Sequence, residues 1–153
     1  MRICEIFRSI QGEGLTMGLP TVFVRAVGCN LRCRWCDTTY AFEGGTEMSV
    51  DEIVRAVGDC PRVCFTGGEP MLQPDALELI ERLISMGKQV DLETNGSVDL
   101  SKVPDDPLVL INDRHASSIL PRAWSTSSAV RAIRSSRVTF SILARRLFCA
   151  TKI

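Results

Sequence analysis

Residues 21–40 read TVFVRAVGCNLRCRWCDTTY, and the passage from the first half of this stretch to the second decides the fold. Thr21 to Val27 is rich in β-branched and aromatic residues, the composition of a strand. It runs directly into Gly28 to Tyr40, a polar turn that places Cys29, Cys33 and Cys36 in the spacing C-x3-C-x2-C. Three thiols this close in sequence can converge on one small object from a single loop, and a metal or cluster suits their chemistry. Parallel α/β sheets hold ligands outside the C-terminal ends of their strands, so the stretch predicts both a sheet class and a site.

Working outward, Ser49 to Glu52 forms a capping box, in which the Ser49 hydroxyl accepts from the Glu52 amide while the Glu52 carboxylate reaches back. Val50, Ile53, Val54 and Val57 then follow helical spacing up to Gly58, predicting a helix over Val50 to Val57. Arg62 to Phe65 reads as a strand running into Thr66-Gly67-Gly68-Glu69-Pro70. Pro74 suits the first turn of a second helix carrying Leu72, Ala76, Leu79, Ile80 and Leu83 on one face and ending at Gly87. Gln89 to Glu93 reads as a strand closed by Thr94-Asn95-Gly96, and Leu108 to Ile111 as another after Pro104 and Pro107. Upstream, Arg2 to Ile10 is an extended segment entering the turn Gln11-Gly12-Glu13-Gly14. Alternating strands and helices mean parallel strands joined by crossover helices, with the cysteine loop, TGGEP and ETNG on one shared rim.

The chain has 153 residues with 45% hydrophobic composition, enough for one domain with a real core. Its seven cysteines are an odd number, and no charged-then-apolar leader or apolar run of spanning length is evident. This reads as a reducing, cytoplasmic setting without membrane attachment, where thiols stay available to metals. The formal net charge of zero hides an asymmetry: residues 1–113 hold ten Lys and Arg against all 18 acidic residues, net −8, whereas residues 114–153 hold eight Lys and Arg and no acid, net +8. That basic segment is either a nucleic-acid or membrane arm or an altered C-terminus read out of its original frame.

A closed zinc site wants four ligands, whereas three thiolates on a 4Fe-4S cluster leave one iron open for an exogenous ligand. The bland alternative is a zinc loop borrowing Cys60, Cys64 or His115. Singly, Cys4, Cys60, Cys64 and Cys149 are better read as small buried hydrophobes.

With Trp35 just before the third cysteine and TGGEP closing the next strand, the sequence resembles the radical S-adenosylmethionine (SAM) superfamily. More narrowly, EIFRSIQGEG, PTVFVRAVGCNLRCRWCDTTYA, TGGEPMLQ and ETNG, in that order across Glu5 to Gly96, resemble the 7-carboxy-7-deazaguanine synthase family. The resemblance implies an incomplete TIM-type α/β barrel of radical SAM type. Cys29, Cys33 and Cys36 would hold the cluster, and Trp35, Asp37, Gly67, Gly68, Glu69, Glu93 and Asn95 would meet SAM. Ile10, Gln11, Gly12, Arg25 and Thr66 would meet the substrate, and Thr38 would serve Mg2+. Six of these have a plainer reading: Trp35 as a packing aromatic, Gly67 and Gly68 as turn formers, Arg25 as a surface ion pair, Asp37 and Thr38 as turn caps.

The implied reaction delivers an electron to the cluster, cleaves SAM to methionine and a 5′-deoxyadenosyl radical, and abstracts hydrogen from 6-carboxy-5,6,7,8-tetrahydropterin. Ring contraction with loss of ammonia gives 7-carboxy-7-deazaguanine. The resemblance also implies a homodimer, a flavodoxin-like electron donor and no direct contact with nucleic acid. A glycyl-radical activating enzyme, an inactive remnant and a zinc-binding module are the competing readings, and the SIQGEG turn argues against the first of them.

The resemblance ends after Ile111-Asn112-Asp113, where the acidic residues end as well. Residues 1–113 are therefore expected to form the N-terminal part of a radical SAM core, and residues 114–153 an atypical basic tail from another frame. Reading the encoding DNA beyond codon 113 in the other two frames tests this, since finding no family-like continuation there would sink it.

Overall fold

The structure, a computed structural model, describes residues 1–113; the expected basic tail, with His115 and Cys149, lies outside the described residues. Eight principal elements follow in order: β1 (Arg2–Ile10), β2 (Pro20–Ala26), β3 (Thr46–Glu47), α1 (Val50–Val57), β4 (Arg62–Gly67), α2 (Ala76–Ser85), β5 (Gln89–Thr94) and β6 (Val109–Asp113). The strands form one sheet in the order β3-β1-β2-β4-β5-β6. From β2 to β6 every pairing is parallel, while β1 runs antiparallel to both β2 and β3. The architecture is an open, partial barrel of α/β type, as the sequence implied.

Local chemistry accounts for the helices. Both halves of the capping box at Ser49 and Glu52 are present, and Gly58 follows α1 at φ 61. The backbone amide of Ser49 donates to Glu52 and holds that carboxyl below its ordinary range. The second helix starts later than expected, at Ala76 rather than in the turn around Pro74. Pro70 to Leu72 instead makes a separate 3-10 turn capped by the Glu69 side chain, which leaves Leu72 exposed rather than on the helix face. No helix joins β5 to β6, where the sequence offered none. Residues 95–108 lack a helical apolar period, and Pro104 and Pro107 cannot donate to a helical ladder.

Alternation along the strands sorts side chains onto two faces. Val22, Val24, Ala26, Val63, Phe65, Val90 and Leu92 point outward and pack with Ile53 and Val57 of α1 and Leu79, Ile80 and Leu83 of α2. The opposite, inner face carries Arg25 opposite Thr66, and Phe23 opposite Cys64, which in turn lies opposite Asp91. That inner face is largely polar. Among the described residues, no helix is long and apolar enough to cross a membrane.

Candidate active site

The cysteine loop follows β2, TGGEP follows β4 and ETNG follows β5, so parallel pairing sets all three at the same end of the sheet. Glu69 fastens them. Its carboxylate is fully buried and accepts from the Thr94 hydroxyl at 2.8 and 3.0 Å, the Asn95 amide at 2.7 Å and the Met71 amide at 3.1 Å. Its own amide donates to the Gly28 carbonyl at 2.8 Å, in the cysteine loop. The expectation that this carboxylate receives the ammonium of a ligand therefore meets a group turned inward, onto the rim itself.

Gly67 and Gly68 have a reason that goes beyond turn formation. A Cβ at Gly67 would collide with the backbone of Ala26, and one at Gly68 with the Gly28 carbonyl. Only glycine lets the TGGEP loop lie this close to the cysteine loop, and Gly67 also sits at φ 144.

Within the cysteine loop, all three thiols are partly exposed. The Leu31 amide donates to Cys29 Sγ at 3.4 Å, Asn95 Nδ2 lies 3.7 Å from the same sulfur, and the Cys36 amide donates to the Cys33 carbonyl at 3.2 Å. Arg32 braces the loop, donating to the Cys29 and Leu31 carbonyls at 2.7 and 2.8 Å with its guanidinium 4.2 Å over the Phe42 ring. Trp35 is 77% exposed, so it is no core-packing aromatic. Among the described residues, no three His, Cys, Asp or Glu side chains form a ready ligand set for a single metal ion. The donor chemistry nevertheless suits an iron–sulfur cluster: three soft thiol ligands on one loop, the number that leaves one iron of a 4Fe-4S cluster open.

Beyond the third cysteine, the Thr38 hydroxyl donates to the Asp37 carboxylate at 2.8 Å. Thr38 occupies the cap position of the 3-10 turn Thr39–Phe42, but its side chain makes no capping bond. The two residues thus present paired oxygens at the loop's edge.

On the inner face, Glu93 accepts from the Thr66 hydroxyl at 2.9 Å and from Gln11 Nε2 at 3.4 Å. The turn expected to bind substrate is therefore folded back over the sheet, with Gln11 buried, Ile10 57% exposed and Gly12 exposed. Arg25 is ion-paired, its Nε donating to Glu5 Oε1 at 2.7 Å across the β1–β2 ladder. The plainer reading of an ion pair holds for Nε, but the group is mostly buried on the polar face rather than on the outer surface.

Sequence reasoning passed over Asp91 and Thr16, whereas Cys64, read as a small buried hydrophobe, is fully buried. The Thr16 hydroxyl donates to Asp91 Oδ2, while Asp91 Oδ1 is buried without a hydrogen-bond partner among the described residues. Burial pushes the Asp91 carboxyl up, and the bonds from Thr16 and Gln11 offset this in part. Burial, with the Glu93 carboxylate beside it, pushes the Cys64 thiol far above its usual range, so it remains an inert thiol. The signal for this face lay in Val90-Asp91-Leu92-Glu93, where acids alternate with apolar residues on what reads as a buried central strand.

The sequence profile of the Radical SAM superfamily matches residues 23–111. The chain belongs to the radical SAM superfamily. A 4Fe-4S cluster and SAM are the cofactors that membership implies, and the thiol loop fits the former. The 7-carboxy-7-deazaguanine synthase of Methanospirillum hungatei JF-1 is 49% identical over 121 residues, covering 77% of this chain and 52% of its own. That of Thermoplasma acidophilum is 51% identical over 102 residues, covering 65% of this chain and 49% of its own. The crystal structure of QueE from Escherichia coli matches with a TM-score of 0.62 at 27% identity, covering 73% of this chain and 59% of that chain. This radical SAM chain spans about half the length of the curated relatives it matches.

Proposed function

We propose that this site serves a 7-carboxy-7-deazaguanine synthase, a lyase that converts 6-carboxy-5,6,7,8-tetrahydropterin to 7-carboxy-7-deazaguanine with loss of ammonia, in queuosine and related 7-deazapurine biosynthesis. The observation that carries the reading is the rim: the cysteine loop, TGGEP and ETNG meet through Glu69, directly above a polar face that presents Arg25, Thr66 and Glu93.

In this reading Cys29, Cys33 and Cys36 hold the cluster. When bound, cluster and SAM supply one-electron cleavage of SAM and the radical that abstracts substrate hydrogen. Everything else falls to the chain itself. Gly67 and Gly68 bring the second loop up to the first, Glu69 locks the rim, and Trp35, Asp37, Glu93 and Asn95 border the SAM pocket. The terminal nitrogens of Arg25 take the substrate carboxylate, because a guanidinium fork matches a carboxylate bidentately. Gln11, Gly12, Ile10 and Thr66 border the pterin, and the Thr38 hydroxyl contributes to a Mg2+ that suits oxygen ligands. Cytoplasmic location rests on the cysteine usage, and a homodimer, a flavodoxin-like donor and a downstream role in tRNA modification rest on the resemblance. The division into a core over 1–113 and a separate basic segment over 114–153 rests on the charge break.

The test is anaerobic reconstitution of the full chain followed by incubation with reductant, SAM and the carboxylated pterin. Formation of 7-carboxy-7-deazaguanine is expected. SAM cleavage without any change in the pterin would instead favour a glycyl-radical type of activating enzyme.

A further inference from the structure

Tyr40 lies four residues beyond the third cysteine, in the 3-10 turn Thr39–Phe42. From there it reaches across to the strand pair that carries Arg25. Its hydroxyl donates to Glu5 Oε1 at 3.0 Å, the same oxygen that accepts Arg25 Nε at 2.7 Å. Its ring lies 5.8 Å from the Arg25 guanidinium carbon, and the Phe7 ring lies 5.7 Å from it. Phe7 is itself stacked on Phe23 with ring centroids 5.0 Å apart. The guanidinium is thus held by two rings and one carboxylate oxygen, and the ion pair with Glu5 engages Nε.

We propose that Tyr40 is a positioning residue, through which the turn after the cysteine loop sets the direction in which Arg25 offers its terminal nitrogens to a carboxylated ligand. The inference rests on the substrate reading above.

The chemistry supports a fixed geometry. A guanidinium donates in its own plane, so a bond at Nε defines where the remaining donors point. Cation–π contacts with Tyr40 and Phe7 add to that constraint without consuming a donor. Glu5 and Arg25 are direct cross-strand partners, so their backbones are already in register. Tyr40 is the one member of the group that comes from the loop side rather than from β1 or β2. A shift of the cysteine loop would therefore reach Arg25 through Tyr40.

The experiment compares equilibrium binding of two ligands, 6-carboxytetrahydropterin and the same tetrahydropterin without its carboxylate, to the anaerobically reconstituted full chain. Wild type, Tyr40→Phe and Tyr40→Leu are followed by tryptophan fluorescence. Tyr40→Phe keeps the ring and loses the hydroxyl, and is expected to weaken binding of the carboxylated ligand about threefold. Tyr40→Leu loses both contacts and is expected to weaken it about tenfold. Binding of the ligand without a carboxylate should be unchanged in both variants, which also reports that they are folded. The inference is overturned if the variants bind the carboxylated ligand as wild type does, or if both ligands weaken equally. If wild type itself shows no preference for the carboxylated ligand, the substrate reading fails, and this inference fails with it.

Discussion

On the outer face of the sheet, Val24, Val63, Phe65, Val90 and Leu92 are fully buried under α1 and α2; one residue along on the same strands, the inner face carries Arg25, Cys64, Thr66, Asp91 and Glu93. The first set stabilises through area removed from water, roughly 25 cal/mol per Å² of apolar surface. The second set costs stability unless each group is paired, because a buried polar group without a partner loses its hydration with nothing in return. Here Thr66 is paired with Glu93, Arg25 with Glu5 and Asp91 Oδ2 with Thr16, and among the described residues Asp91 Oδ1 is the exception. A sheet that needed only to fold would gain by making both faces apolar. The inner face is better explained as the wall of a site, and the ties among its groups as the means of holding that wall before any ligand arrives.

Substitutions at the two faces should separate these roles. The largest loss of stability is expected from Phe65→Ala, which opens a cavity under both helices and should cost about 3–5 kcal/mol in a denaturant titration. Next comes the rim, where Glu69→Ala strips acceptors from the Thr94 hydroxyl and the Met71 and Asn95 amides. A cost of about 2–3 kcal/mol is expected, together with a loosened cysteine loop visible as faster amide exchange around Cys29. Exchange confined to the TGGEP loop would contradict the idea that Glu69 joins the loops.

Asp91→Asn should give the smallest effect, and in the opposite direction. The folded-state pKa of Asp91 lies above its ordinary 3.8, so the folded chain binds this proton more tightly than the unfolded one. Its favourable contribution is present at low pH and is lost as pH rises through the raised value. Asparagine has no such proton to lose and still offers Thr16 an acceptor. The variant should therefore gain stability relative to wild type as pH rises above the ordinary 3.8, read from paired unfolding curves. A difference that does not change with pH would remove burial of the carboxylate as the cause.

The same contrast explains what the sequence disclosed. The outer face was legible because it obeys periodicity: α1 spans Val50–Val57 as its spacing and capping box predicted, and the strands over 20–26, 62–67 and 89–94 fall within a residue or two of expectation. The rim was legible as well, since each loop begins where a predicted strand ends. Hidden were the features that depend on distant partners. Nothing local in Arg2–Ile10 says that β1 runs antiparallel between β2 and β3, and the two-residue β3 is too short to leave a pattern. Glu69 read as a ligand because carboxylates suit ammonium groups; its bonds to Thr94 and Asn95, 25 and 26 residues away, could not be read locally, since only the fold brings those partners close. Tyr40 read as the end of a motif, and its bond to Glu5 spans 35 residues.

The central claim is that the cysteine loop, held on this rim, carries an iron–sulfur cluster open to SAM. It is tested most directly by anaerobic reconstitution of the chain with iron and sulfide, followed by electron paramagnetic resonance of the reduced protein with and without SAM. Iron and sulfide in 4Fe-4S proportion, a cluster signal that changes on adding SAM, and loss of both in Cys33→Ala are predicted. A colourless protein that binds zinc at the same three cysteines and takes up no iron or sulfide would contradict the account.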